Sequence, residues 1–329
     1  MKKIRNLFLL LIAILLLAGC YLIATRQMTV PFFYRFKAGN EWKIGTIRTV
    51  NPLQINKDSI ITIDFSINQV RPEVRFMADP FVVEENGTYY IFYEYFPSKM
   101  NSTWADIAVL KSEDLTNWEY LGIVLDEDFH LSYPQIFKIN GNWYMIPETS
   151  GANEIRLYAT DNFPYNWKLK KTLVKDRIVV DATLIVKNDI FYLLAHENEK
   201  MVLFYSDNIE ENWQEHPQSP LREQDTRPGG NPVVLNEKIT YFIQDHTHGY
   251  GTGLISYEID SISPTFFADH RADTVLWRFG DDWAMGGMHQ LSSIQLPDGS
   301  WFCVVDGCHW KKQRWGWDWL NFPVFRLKK

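Results

Sequence analysis

The sequence predicts an all-β fold, a five-bladed β-propeller with four-stranded antiparallel blades, closed by an N-terminal strand. Three observations carry this expectation. An internal echo recurs at spacings of roughly fifty residues, headed by Asp79 (ADPFVVEENGTYYIFYE), Tyr133 (SYPQIFKINGNWYMIPE), Asp181 (VDATLIVKNDIFYLLAH), Asn231 (GNPVVLNEKITYFIQDH) and His289 (MHQLSSIQLPDGSWFCVVD). Each copy reads strand–turn–strand, with Asn86-Gly87, Asn140-Gly141 and Asp298-Gly299 at tight-turn positions. No sustained helical apolar period follows the N-terminal segment. Four short strands fit in one repeat, so each copy is one blade, and matched residues of all copies converge on a central funnel.

Taken in chain order, the first element is an address label. Lys2, Lys3 and Arg5 precede an apolar run from Leu7 to Leu17, the anatomy of a secretory signal. Leu17-Ala18-Gly19-Cys20 resembles a bacterial lipobox, which implies cleavage before Cys20 and lipidation of its thiol. The alternative is an uncleaved anchor, because apolar character persists to Ala24, near the lower length limit for a span. Both readings place the domain outside the cytoplasm, tethered to a membrane; the lipobox reading makes it a bacterial lipoprotein of the periplasm or cell surface. The expected organisation is signal 1–20, tether 21–37 and propeller 38–329.

Ile60–Ile67 alternates apolar and polar residues and reads as a strand. The first full repeat divides into Pro80–Glu84, Thr88–Tyr95, Ala105–Lys111 and Trp118–Leu125. The outer strands carry Asn117-Trp118, Asn166-Trp167 and Asn212-Trp213, whose tryptophans are expected to pack between blades. The last copy is short of an outer strand, so a strand around Trp42–Val50 is expected to complete the fifth blade and protect its edge. Cys303 and Cys308 are too few for a disulfide framework and lack metal-ligand spacing; two separate buried thiols are expected.

A net charge of −7 without a basic block beyond the N-terminus excludes nucleic acid as a partner. The 13 Trp, 16 Tyr and 21 Phe mostly serve strand packing, with a few free to stack on sugars. A monomer is expected.

The chemistry concentrates at one end of the blades. The inner-strand heads are Asp79, Tyr133, Asp181, Asn231 and His289. The second strands end at Glu94, Glu148, His196 and His246, with Asp306 in the fifth copy and Asp245 competing with His246 for the inward face. Buried ionisable groups are costly core material, so their accumulation favours a functional funnel, although any one of them could cap a blade end.

Ala78-Asp79-Pro80, Asp181-Ala182 and Gly287-Met288-His289 resemble the blades of five-bladed furanosidase propellers of the glycoside hydrolase family 43-like superfamily. The resemblance implies an inverting hydrolase with Asp79 as general base, Asp181 as general acid and Glu148 as the alternative acid, carboxyls roughly 6.5–9.5 Å apart. It also implies that His289 holds a central water or calcium and that Arg227 contacts substrate. Glu94, Tyr133, His196, Asn231, Asp245, His246 and His289 complete the expected substrate contacts. Two positions depart from that pattern: Ser132-Tyr133 stands where the family has an acid-tuning Asp, and Asp181 is one methylene shorter than the usual Glu. His130-Leu131-Ser132-Tyr133-Pro134, Tyr144–Glu148 and Trp42-x-Ile44-Gly45 are similar instead to the N-terminal propeller of glucosamine inositolphosphorylceramide transferases. The implied ligand is an oligosaccharide or the glycan of a glycolipid. A non-catalytic glycan-binding module, or an accessory protein of a glycolipid pathway, is the alternative function.

Overall fold

The computed structural model describes residues 9–18, 35–63, 74–97, 104–247, 249–277 and 283–313, together with Asn6. The chain divides into two compact units. One comprises Met1–Lys37 with Lys311–Lys329, and in it residues 9–18 are helical. Among the described residues no helix is long and apolar enough to cross a membrane. Cys20 and most of the expected tether lie outside the described residues. The other unit, Ala38–Trp310, is the propeller.

Strands β1 (Arg35–Thr49) and β2 (Ile61–Thr62) come first in the chain but belong to the last blade. Blade one is β3 (Val74–Glu85), β4 (Thr88–Pro97), β5 (Asp106–Ser112) and β6 (Glu119–Leu125). Blade two is β7 (Ser132–Ile139), β8 (Asn142–Glu148), β9 (Glu154–Thr160) and β10 (Lys168–Lys175). Blade three is β11 (Val180–Lys187), β12 (Ile190–Glu197), β13 (Lys200–Ser206) and β14 (Gln214–Glu215). Blade four is β15 (Val233–Leu235), β16 (Lys238–Asp245), β17 (Gly253–Ile262) and β18 (Phe267–Trp277). Blade five takes β19 (Leu291–Gln295) and β20 (Trp301–Gln313) from the end of the chain, then β1 and β2 from its start, in that order. The expected N-terminal closure is therefore present.

Local chemistry explains the hairpins. Asn86-Gly87 and Asn140-Gly141 both have positive φ at their two central positions, the geometry that matches the twist of the flanking strands. Asn188-Asp189, Asn198-Glu199 and Asn236-Glu237 make the same turn without glycine, which Asn and Asp tolerate better than other side chains.

Alternating apolar residues on each blade build five hydrophobic clusters, one at each blade-to-blade interface. Trp118 lies between blades five and one, and Trp167 between one and two. Trp213 packs against the cluster between two and three, so the three outer-strand tryptophans act as inter-blade wedges. Cys303 and Cys308 are buried and not joined in a disulfide.

The innermost strands are also joined by polar side chains. Ser292 Oγ accepts from the Val82 N–H (3.1 Å) and from Asn231 Nδ2 (3.1 Å). Asn231 Oδ1 accepts from Gln135 Nε2 (3.2 Å), and Gln135 exchanges bonds with both backbone groups of Leu184. This belt touches all five blades. It uses the Asn231 amide as a structural link.

Blades four and five meet closely at Gly230, where φ is +134° and an added Cβ would lie 1.7 Å from the Leu291 carbonyl oxygen. Gly230→Ala is expected to destabilise the fold by roughly 2–4 kcal/mol through strain and overpacking. The measurement is the urea midpoint, which falls with little change in slope; an unchanged midpoint contradicts this close approach.

Candidate functional site

Three inner-strand heads share an unusual backbone. Asp79, Tyr133 and Asp181 have φ of 50°, 48° and 52°, and the ladder slips at each of them. A left-handed non-glycine residue costs about 1–3 kcal/mol, and such strain clusters at functional sites. Here it turns backbone donors toward carboxylates. The Tyr133 N–H donates to Asp79 Oδ2 (3.3 Å), and the Asp79 N–H donates to Asp306 Oδ2 (3.3 Å).

Asp306 is fully buried at the centre of the site. Its Oδ1 accepts from the backbone N–H groups of His289 (2.9 Å) and Gln290 (3.0 Å). Its Oδ2 lies 2.7 Å from His289 Nδ1, which is also 3.7 Å from Asp79 Oδ1. Nδ1 lacks an aligned hydrogen bond, so the contact is a close ion pair. Burial opposes the imidazolium, but Asp306 and then Asp79 outweigh it and raise the His289 pKa. The ring of Trp42 stacks on this imidazole at 4.0 Å and 18°, which places an aromatic face against the cation.

Asp79, His289 and Asp306 are also the buried cluster to test for the expected calcium. They offer one nitrogen and two carboxylates, and both Asp306 oxygens already accept backbone N–H donors. Calcium takes 6–8 oxygens, so two carboxylates whose oxygens are partly engaged, with one imidazole, do not fit it.

Asp181 is gripped through one oxygen. Arg227 Nε donates to Oδ2 at 2.5 Å and Gln244 Nε2 donates to the same atom at 3.0 Å, while the buried Oδ1 has no donor. Glu148 Oε1 accepts from the Ser150 N–H at 2.6 Å, in the turn after β8. His130 accepts at Nδ1 from the Ala105 N–H, so the proton of its neutral ring sits on Nε2, 3.4 Å from Glu94 Oε1.

Crowding of buried carboxylates sets their protonation. Burial raises the Asp79 pKa to about 7, with His289 pulling down and Asp181 pushing up. Burial also raises Glu148 to about 7, against the Ser150 hydrogen bond. Glu94 is pushed well above the carboxylate range, by burial first and then by Asp79 and Asp181. His130 and His196 are lowered by burial, and His246 falls to about 4 through burial and then Arg227.

The structure brings together Asp79, Glu94, Glu148, Asp181, His196, Arg227, His246 and His289 as one electrostatically coupled group. Two further assignments are corrected. Tyr133 is fully buried: its hydroxyl bonds Thr183 Oγ1 (2.7 Å) and the Gly230 N–H (2.7 Å), and its ring packs edge-on to Phe81. With its ring buried and its hydroxyl satisfied inside the protein, its side chain is closed to a ligand. Asp245 turns its carboxylate to the backbone N–H and hydroxyl of Thr247, while Gln244 and His246, on the opposite strand face, join the site.

Sequence reasoning did not single out Gln244, Tyr250, or Trp42 and His130 as site residues. Gln244 is two positions before His246 on the same strand face, and Tyr250 stands in a Gly-Tyr-Gly loop after the fourth hairpin; both were readable signals.

Fold and site thus define a five-bladed β-propeller that gathers buried carboxylates and imidazoles from several blades. Its shape is similar to an α-L-arabinofuranosidase of Clostridium thermocellum (TM-score 0.53, 17% identity, 69% of this chain and 80% of that one). A family 117 glycoside hydrolase of Zobellia galactanivorans is comparably similar (TM-score 0.52, 14% identity, 83% and 92%). The chain belongs to the family described as glucosamine inositolphosphorylceramide transferase 1, N-terminal, whose model matches residues 54–308. The transferase of that name from Oryza sativa subspecies japonica is 30% identical over 248 residues, 70% of this chain. The chain spans about a third of that relative's length.

Proposed function

We propose that the chain is a carbohydrate-active propeller that cleaves a glycosidic bond in its funnel. The observation that carries this reading is the convergence of Asp79, Glu94, Glu148 and Asp181 at matched blade positions beside a fixed guanidinium. Cleavage needs one carboxyl group protonated and another ionised. Glu148, with its raised pKa, suits the general acid and Asp79 the general base. Arg227 and Gln244 hold Asp181 as an acceptor, which favours an electrostatic role for it over the acid role expected from its position. The ligand is an oligosaccharide or the glycan of a glycolipid, the class to which the plant relatives' name points. The signal-like N-terminus supports a lipoprotein, tethered through Cys20 outside the cytoplasm.

The test is release of new reducing ends from a panel of oligosaccharides, followed across pH. The acid loses activity as pH rises through its pKa and the base loses it as pH falls through its own. With both raised to about 7, a narrow bell centred near neutrality is expected. Glycans that bind without any released end favour the non-catalytic module, a reading that the immobilised Asp181 makes specific. A flat profile between about pH 5 and 9 removes this acid and base pair.

A further inference from the structure

Tyr250 lies on the loop between β16 and β17 and is both fixed and open. Fixing comes from below and from the sides. Arg227 sits 5.4 Å from its ring centroid, Trp42 and His289 meet it edge-on at 6.5 and 5.3 Å, and His246 lies at 5.4 Å. The loop itself is pinned. Thr252 bonds the Asp245 carbonyl through both its N–H and its hydroxyl, and the Gly249 N–H donates to the His246 carbonyl. Gly251, at φ +60°, presses so closely on His289 that a Cβ there would lie 2.5 Å from the ring. Despite these contacts Tyr250 remains 54% exposed.

An aromatic ring held by four neighbours and left open to solvent gains nothing for the core, since its apolar face stays wet. It suits a flat platform ordered in advance of binding, which reduces the entropy lost on association. His289, which meets the ring, lies 3.7 Å from Asp79, and Arg227, against the ring, bonds Asp181, so the platform stands beside these carboxylates. A ligand spanning both must present an apolar C–H face to the ring and hydroxyl donors to the carboxylates. That combination describes a pyranose.

We propose that Tyr250 is the stacking platform of a sugar subsite at the funnel, selecting glycans that lay the C–H face of a pyranose ring on it. This rests on the glycan-active reading above and names the residue that sets ring selection.

The experiment presents the full chain, with Tyr250→Ala, Tyr250→Phe and Tyr250→Trp variants, to one array of defined pyranose and furanose oligosaccharides. Titration of every retained sugar follows, with melting curves for each protein. Pyranose glycans are expected to be retained by the wild type and weakened roughly five- to tenfold in Tyr250→Ala. Phe and Trp variants are expected to restore binding, because they keep the face, and all melting temperatures are expected to stay close to wild type. Retention of pyranoses by Tyr250→Ala within twofold of wild type overturns the platform and leaves the glycan-active reading standing. Retention of furanose glycans alone overturns the pyranose assignment. A wild-type chain that retains and cleaves no sugar overturns both.

Discussion

Asparagine in place of Asp79 is expected to lower glycan turnover by about 10²–10⁴-fold, the usual contribution of a positioned acid or base, and at pH 8 to raise the melting temperature. The two effects share one cause. Asp79 is buried beside Asp181 and Asp306, and its folded pKa is about 7 against roughly 3.9 for a free Asp. Between those values the folded state binds more protons than the unfolded state, so stability falls as pH rises through the window. Above about pH 7 the full penalty of the buried charge is present, and a neutral amide removes it. Below the unfolded pKa both forms are neutral and the variants should melt alike. Turnover assays with an active glycan and melting curves at about pH 3 and pH 8 check both halves. Unchanged turnover removes Asp79 from the mechanism; an unchanged melting temperature at pH 8 contradicts the buried charge.

The second large effect runs the other way. Asp306→Ala is expected to cost about 3–5 kcal/mol of stability, the range for removing one partner of a buried ion pair. The loss leaves the His289 imidazolium uncompensated and strips acceptors from the N–H groups of Asp79, His289 and Gln290. The His289 pKa is raised in the folded state, so the pair's contribution is fully present below the unfolded His value and is lost as pH rises through the folded one. Urea titration at pH 6 therefore shows the deficit best. Asp306→Asn, which keeps an acceptor for two of the N–H groups, should fall between wild type and alanine. A midpoint for Asp306→Ala equal to wild type sinks the account of this residue as the keystone of the site.

The blades were legible because each depends on short-range chemistry repeated at a fixed spacing. Asn-Gly turns set the hairpins, alternation set the faces, and the Asn-Trp pairs marked the wedges. The site was legible only where it shared that period. Asp79, Asp181 and His289 head inner strands and Glu148 ends a second strand, so counting along the repeat singles them out. Tyr133 and Asn231 head inner strands too, yet their side chains bond within the scaffold, because period fixes where a side chain begins and not what its neighbours offer. The choice between Asp245 and His246 stayed open in the sequence, because neighbouring strand residues face opposite ways and only their bonding partners separate them. Tyr250 lies on a loop outside the period, and its partners Trp42 and His289 are far apart in sequence, so no local pattern joined them.

Pairing of β1 with β20 has a consequence in time. β1 is the first strand of the propeller to be synthesised and its partner the last, so blade five cannot form until nearly the whole domain exists. Until then four blades wait with open edges, and Trp42 has no His289 to cover. The act that closes the ring is the same act that finishes the site, so a chain interrupted before blade five can hold most of its blades and still have no chemistry.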